Sequence, residues 1–153
     1  MNFFLKTLSN PVINIAVMAW FLAQLIKFLI VLLTSKKFDF SRFVGSGGMP
    51  SSHSALVCSA TTAVLLMEGY RSSLFAIALT SSLVIMYDAA GIRRAAGEQA
   101  KILNHLINEW NSISDDEKQS DLKELLGHTK LEVFAGATLG VAVAYAYYTY
   151  IIL

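Results

Sequence analysis

The longest apolar run in the chain is PVINIAVMAWFLAQLIKFLIVLL, residues 11–33, which contains one charged residue, Lys27. As a helix, these 23 residues would extend roughly 35 Å, enough to cross the hydrocarbon layer of a membrane. A helix on the surface of a soluble protein carries a polar stripe, whereas this run is apolar on every side. The run therefore predicts a membrane-spanning helix.

Three shorter apolar segments follow this run. The segment at residues 72–90 has 19 residues, with Asp88 near its end. The segment at residues 133–153 has 21 residues and no charge. Residues 54–67 are small and apolar, and they suffice for a thin or tilted crossing only if the helix begins near Ser51. We therefore expect an all-α fold, an integral membrane helical bundle with about four transmembrane helices.

The composition supports this class and excludes others. The chain has 153 residues, the size of one domain, so we expect a single membrane-embedded domain over residues 1–153. Hydrophobic residues make up 55% of the chain, and its net charge of +1 provides no basic field for nucleic acid. Cys58 is the only cysteine, which excludes an internal disulfide and a cysteine-based metal cluster. No carboxylate cluster is suited to a metal, and we expect neither metal nor cofactor.

Residues 91–130 carry most of the charge, so we expect them to form an extramembrane helical insertion. Apolar residues recur there at helical spacing, at positions 102, 103, 106, 107 and 110. They indicate an amphipathic helix that lies on the membrane surface or covers the mouth of the bundle. Ser114 and Glu117 form a capping-box pattern that predicts a second, short helix ending at Gly127.

Four crossings would place residues 34–53 and 91–130 on the same side of the membrane. That side carries nine Lys or Arg residues and the opposite side carries two, so the positive-inside rule predicts that it is cytoplasmic. Basic residues that bind phosphate would also raise this count without reporting topology. We expect the protein in a bacterial cell membrane, with these loops on the cytoplasmic side.

A glycine-rich loop leads into the second apolar segment, where residues 45–54 read GSGGMPSSHS. Ser51 can cap a helix that begins here, and the free N–H groups of a helix N-terminus make an anion site. His53 would lie within reach of such an anion, and an imidazole titrates near neutrality, which suits proton donation. A flexible turn before a capped helix is the alternative, and this loop alone does not separate the two.

A second histidine motif, GHTKLE at residues 127–132, precedes the last apolar segment. If the helix begins at Thr129, Glu132 falls about one turn beyond His128, where its carboxylate can orient the imidazole. A fixed tautomer leaves the other ring nitrogen free to attack phosphorus. Thr129 and Glu132 also spell a capping box, so capping alone is the other interpretation of Glu132.

Both motifs resemble signatures of a known family. Residues 50–53, PSSH, resemble the Pro-Ser-Gly-His signature of the type 2 phosphatidic acid phosphatase superfamily, and His128 with Glu132 resembles its His-x-x-x-Asp signature. Over nearly its whole length the chain is similar to the divergent branch of that superfamily, the group related to acid phosphatase and vanadium-dependent haloperoxidase. The residues that carry this similarity are 47–55, 86–94 and 126–129.

This resemblance implies a phosphatase mechanism that needs no metal. His128 would attack the phosphomonoester and form a phosphohistidine, and His53 would protonate the leaving oxygen. Glu132 would orient His128. Ser51 and Ser52, with nearby backbone N–H groups, would hold the phosphoryl oxygens.

The basic residues depart from the pattern of the superfamily. Its usual Lys and Arg signature is absent, and Leu122 stands where an Arg would precede the second histidine. Four other basic residues are our candidates for binding phosphate: Arg42, Arg93, Arg94 and Lys27. A charge inside a span, as at Lys27, usually points at a partner or a polar cavity, although snorkelling to the interface would also accommodate it.

We therefore expect a membrane lipid phosphatase that hydrolyses a lipid phosphomonoester of the prenyl phosphate, phosphatidic acid or phosphatidylglycerol phosphate type. The alternatives are a catalytically inactive module that binds anionic lipid, and a vanadate-dependent peroxidase. The expected partners are the membrane and the lipid phosphate. Small residues in the last segment would permit close helix packing within the subunit or in a homodimer: Ala135, Gly136, Ala137 and Gly140.

Overall fold

The computed structural model describes residues 9–35, 48–113, 122 and 127–153. This part of the chain contains five α-helices, numbered here in chain order: α1 Pro11–Ser35, α2 Ser52–Glu68, α3 Ser73–Ala90, α4 Ile92–Ile113 and α5 Lys130–Tyr147. A π-helical turn, Tyr148–Ile152, extends α5. No strand occurs among the described residues, and the prediction of an all-α fold is confirmed.

Three of the described helical segments are long and apolar enough to cross a membrane: Pro11–Thr34, Ser73–Trp110 and Lys130–Ile152. They confirm the prediction of a helical membrane bundle. α2, the second predicted span, has 17 residues. Its length of about 25 Å is a few ångströms less than the hydrocarbon core of a bilayer. Because α2 packs against α1, α3 and α5, it occupies the centre of the bundle.

The outward faces of α1 and α3 are strongly apolar. Large side chains there are more than half exposed, among them Val17 (54%), Phe21 (52%), Ile77 (63%) and Val84 (67%). A continuous apolar surface of this kind is unfavourable in water and suits contact with lipid chains. Burial is instead concentrated on small residues at the helix contacts, such as Ala19 and Ala63, each fully buried.

α5 packs closely against the start of α2 at two glycines. A Cβ atom added at Gly136 would collide with the carbonyl oxygen of Ser51, and one added at Gly140 would collide with that of Ala55. Small residues at such positions let two backbones touch, as is common between membrane helices. Both glycines therefore make their contacts within the subunit, and a homodimer would need a different surface.

Hydroxyl groups join α2 to α3 inside the bundle. The Oγ1 of Thr61 and the Oγ of Ser82 lie 2.6 Å apart, so one hydroxyl donates to the other, and the carbonyl oxygen of Val57 lies within hydrogen-bond distance of both, at 2.8 Å and 3.2 Å. No polar group of this pair is left without a partner. Hydrogen bonds of this kind between membrane helices contribute on the order of 0.6 kcal/mol each.

α4 has the amphipathic character that the sequence predicts. Its apolar side chains Ile102, Leu106 and Trp110 are exposed, by 63%, 55% and 71%. On another face, the amide of Asn104 forms two hydrogen bonds of 2.8 Å with the backbone of Leu122. The predicted capping box at residues 114–117 lies outside the described residues.

Candidate functional site

The N-terminal ends of α2 and α5 meet at one end of the bundle. The backbone N–H of Ser51 donates to the carbonyl oxygen of Glu132 at 3.0 Å, which joins the two helix starts directly. The backbone N–H of His128 donates to the carbonyl oxygen of Ala89 at 2.9 Å, near the end of α3. Three helices thereby fix the backbone around both histidine motifs, as the topology deduced from the sequence requires.

Glu132 both caps α5 and contacts His128. Its Oε2 accepts from the backbone N–H of Thr129 at 2.9 Å and lies 3.3 Å from Nδ1 of His128. The hydroxyl of Thr129 in turn accepts from the backbone N–H of Glu132 at 3.2 Å, which completes the capping box. The two interpretations of Glu132 are thus not exclusive, because one oxygen serves both contacts.

The imidazole of His128 is almost fully buried, with 3% of its surface exposed. A carboxylate that accepts from Nδ1 places the ring proton there, so the lone pair lies on Nε2. None of the described residues hydrogen-bonds to this buried Nε2. A buried polar atom without a partner requires an explanation, and a nucleophilic nitrogen reserved for a substrate is one.

His53 lies beside His128 in the same site. The two ring centroids are 6.3 Å apart, and the ring planes make an angle of 61°. His53 is exposed whereas His128 is buried. The two rings are therefore close enough to contact one phosphoryl group, with His53 on its solvent side.

Burial lowers the pKa of His128 below its ordinary value of 6.5, and the nearby positive charges of Lys27 and His53 lower it further. The hydrogen bond and negative charge of Glu132 act in the opposite direction. A lowered pKa keeps the imidazole neutral, and hence nucleophilic, at a pH where a free histidine is partly protonated.

For the phosphatase that the resemblance implies, we expect the acid limb of the pH–rate profile of phosphate release to lie below pH 6.5, the ordinary pKa of histidine. Glu132→Gln should move this limb further down, because it removes the negative charge that raises the pKa of His128 and weakens the hydrogen bond that acts in the same direction. Glutamine still completes a capping box, so α5 should form. The plateau rate should fall at least about tenfold because the tautomer is less well fixed.

The check is a pH series of initial rates for the wild type, Glu132→Gln and Glu109→Gln, whose carboxylate is exposed and lies beside His105. The Glu109 variant should reproduce the wild-type profile. An acid limb that moves upward in Glu132→Gln would contradict the assignment.

Lys27 reaches the site from α1. Its side chain is buried, with 6% exposed, and Nζ donates to Oγ of Ser52 at 3.2 Å. The ammonium group is thus buried in the protein at the start of α2. The aliphatic part of Lys27 runs past Gly48, where an added Cβ would lie 3.5 Å from Cδ. Gly48 has a φ of +83°, a conformation that favours glycine.

The two serines differ in their surroundings. Ser51 is fully buried, and its Oγ accepts from the backbone N–H of Ser54 at 3.4 Å and from the Ser54 hydroxyl at 3.1 Å. It therefore caps α2 as expected. Ser52 instead lies against the ammonium group of Lys27. Of the two hydroxyls, that of Ser52 is the one beside a cation.

A small cavity of about 20 Å³ lies between the histidines and the end of α3. His53, His128, Asp88, Arg93 and Ile85 contribute to its wall. This volume is close to that of one water molecule, so a phosphoryl group needs an outward movement of the exposed rim side chains. Ile85 contributes to the wall from α3, whose outer face is exposed and apolar.

The described residues bring most of the predicted site residues together, with two exceptions among the basic candidates. Arg94 packs its backbone against Gly127, where a Cβ would collide with it, and its side chain does not line the cavity. Arg42 lies outside the described residues. From the sequence, Asp88 was expected to point at a polar cavity, as at Lys27, or simply to pair with Arg93 or Arg94, and it both lines the cavity and pairs with Arg93.

Comparison with known proteins agrees with the motifs. The sequence profile described as "Divergent PAP2 family" matches residues 8–143. The uncharacterized membrane protein YuiD of Bacillus subtilis (strain 168) is 41% identical in an alignment of length 147 that covers 90% of this chain and 93% of that protein. No solved structure matches the chain.

Proposed function

Because the chain belongs to the divergent PAP2 family, we propose that this integral membrane protein is a lipid phosphatase that acts through a phosphohistidine. The observation that carries the proposal is the state of His128: Nδ1 lies 3.3 Å from Glu132, and Nε2 is buried without a partner among the described residues. A neutral imidazole fixed in this tautomer has its lone pair ready for attack on phosphorus.

The reaction would proceed in two displacements at phosphorus. First, Nε2 of His128 forms a bond to phosphorus while the bond to the lipid oxygen breaks, and protonated His53 donates its proton to that oxygen. Neutral His53 then takes a proton from water, whose oxygen attacks phosphorus and displaces His128. Inorganic phosphate leaves, and both histidines return to their starting protonation states.

Cationic groups would stabilise the charge on the phosphoryl oxygens in both steps. Lys27 lies at the start of α2 with Ser52, and Arg93 lies on the cavity wall. The free N–H groups at the start of α2 would add a fixed positive potential. These groups would replace the Lys and Arg signature that the sequence lacks, with Arg42 and Arg94 as further candidates for binding phosphate.

The substrate we propose is a phosphomonoester with a lipid tail, such as a prenyl phosphate, phosphatidic acid or phosphatidylglycerol phosphate. Ile85 lines the cavity on a helix whose outer face is exposed and apolar. A tail could therefore follow α3 while the phosphate reaches the histidines. We place the site on the cytoplasmic side because of the excess of basic residues in the loops on that side.

Phosphate release from these three lipid classes, measured in detergent micelles, tests the proposal. We expect release from at least one class without added metal. A correctly folded protein that binds these lipids and releases no phosphate would support the inactive lipid-binding module instead. Inside-out and right-side-out membrane vesicles, each supplied with a water-soluble, impermeant phosphomonoester, test which side the site faces. Release only from right-side-out vesicles would contradict a cytoplasmic site.

A further inference from the structure

Asp88 and Arg93 form an ion pair on the wall of the cavity. The Nε of Arg93 donates to Oδ2 of Asp88 at 2.6 Å, and both residues line the cavity together with His53 and His128. The side chain of Arg93 is 55% exposed, and that of Asp88 is 32% exposed. An exposed ion pair contributes little to stability, so its position beside two histidines calls for another explanation.

The pair depends on the interruption between α3 and α4. Residues five apart do not lie side by side on a regular helix, where neighbours are three or four apart. α3 ends at Ala90, and Gly91 takes φ −111° and ψ −82° before α4 begins at Ile92. This break turns the first turn of α4 so that Arg93 reaches back to Asp88 and the cavity.

The contact engages Nε of Arg93, so the two terminal Nη groups remain to donate to an anion. A guanidinium binds phosphate best when two N–H groups point at it together. A free arginine side chain has many rotamers and must lose them on binding, whereas a partner that holds it in place removes part of that cost. The carboxylate of Asp88 is such a partner.

We propose that Asp88 is a positioning residue that holds the guanidinium of Arg93 at the cavity rim, where its Nη groups bind the phosphate of the substrate. The inference rests on the proposed phosphate site and assigns a role to Asp88, which lies outside the two histidine signatures. It also explains how an arginine just past α3 can replace the missing basic signature.

The direction in which one substitution changes the affinity for phosphate distinguishes this role from a simple charge effect. Asp88 carries a negative charge beside the site, so its removal by Asp88→Asn would strengthen phosphate binding if charge alone mattered. If Asp88 positions Arg93, the same substitution weakens binding, because the guanidinium is no longer held. Isothermal titration of the detergent-solubilised protein with inorganic phosphate measures this directly.

We expect Asp88→Asn to raise the Kd for inorganic phosphate about tenfold, Arg93→Gln to raise it at least as much, and the double variant to be no weaker than Arg93→Gln alone. Asp88→Glu should recover part of the affinity. Glu68→Gln makes the same change of charge at the exposed far end of α2 and should leave the Kd unchanged. Helix content by circular dichroism confirms that each variant is folded.

Tighter or unchanged binding in Asp88→Asn would overturn the inference. Hydrolysis of lipid phosphates by the wild type would in that case leave the proposed phosphatase activity intact. The predicted order of affinities without any hydrolysis would support the positioning role and overturn the phosphatase activity. Failure of the folded wild type to bind inorganic phosphate at all would overturn both.

Discussion

Replacing His128 by alanine is expected to reduce phosphate release by at least about 1,000-fold, the scale seen when a covalent nucleophile is removed. The site retains its cations without the imidazole, but no other described residue presents a buried, unpaired nitrogen to the cavity. Lipid binding should change little, since the positive charges near the cavity remain. Initial rates with the best lipid substrate, together with a lipid-binding assay, measure the two effects separately.

His105→Ala is the matched control, because this histidine is exposed on α4 and contacts Glu109. It should keep full activity. Labelled phosphate retained on the wild type after an alkaline denaturing quench, in which a phosphohistidine is stable, and its absence in His128→Ala, would identify the intermediate. Activity in His128→Ala within about tenfold of the wild type would exclude a phosphohistidine at this position.

Substitution of Gly136 is expected to have the largest effect on the fold. The Cβ of alanine would collide with the backbone carbonyl of Ser51, which cannot move aside like a flexible side chain. α5 must then shift away from α2, at a cost of about 1–3 kcal/mol. The hydrogen bond from Ser51 to the carbonyl of Glu132 would be strained, so activity should fall together with the melting temperature.

Thermal unfolding in detergent, followed by circular dichroism, compares Gly136→Ala with Ala142→Val. The second variant adds two methyl groups to an exposed position of the same helix and should behave like the wild type. The two helices would not meet as closely as described if Gly136→Ala matched the wild type in both melting temperature and activity.

The sequence predicted the membrane bundle and the pairing of the two histidine motifs for physical reasons that are easy to state. An apolar run such as residues 11–33 has few stable states other than a membrane helix. The spacing of four between His128 and Glu132 places them on one helix face or across its first turn, as found. Membership of the divergent phosphatase branch was also predicted from short motifs and is confirmed.

Other features depend on three-dimensional details that residue spacing does not contain. Asp88 contacts Arg93 and not Arg94 because Gly91 introduces a turn between α3 and α4. The dual use of one oxygen of Glu132 needs the position of the imidazole as well as the capping pattern. Whether the Lys27 side chain reaches the site likewise depends on where α2 begins relative to α1.

The short length of α2 changes how a lipid meets this protein. Its 17 residues span about 25 Å, less than the thickness of the hydrocarbon core, so a crossing leaves at least one of its ends below the membrane surface, and we expect this end to be its polar start. The backbone there is satisfied by the carbonyl of Glu132 and by capping, as non-helical backbone at membrane depth requires. We therefore expect the site to form a polar depression in the bilayer, into which the headgroup of a lipid sinks while its chains stay among the neighbouring lipids.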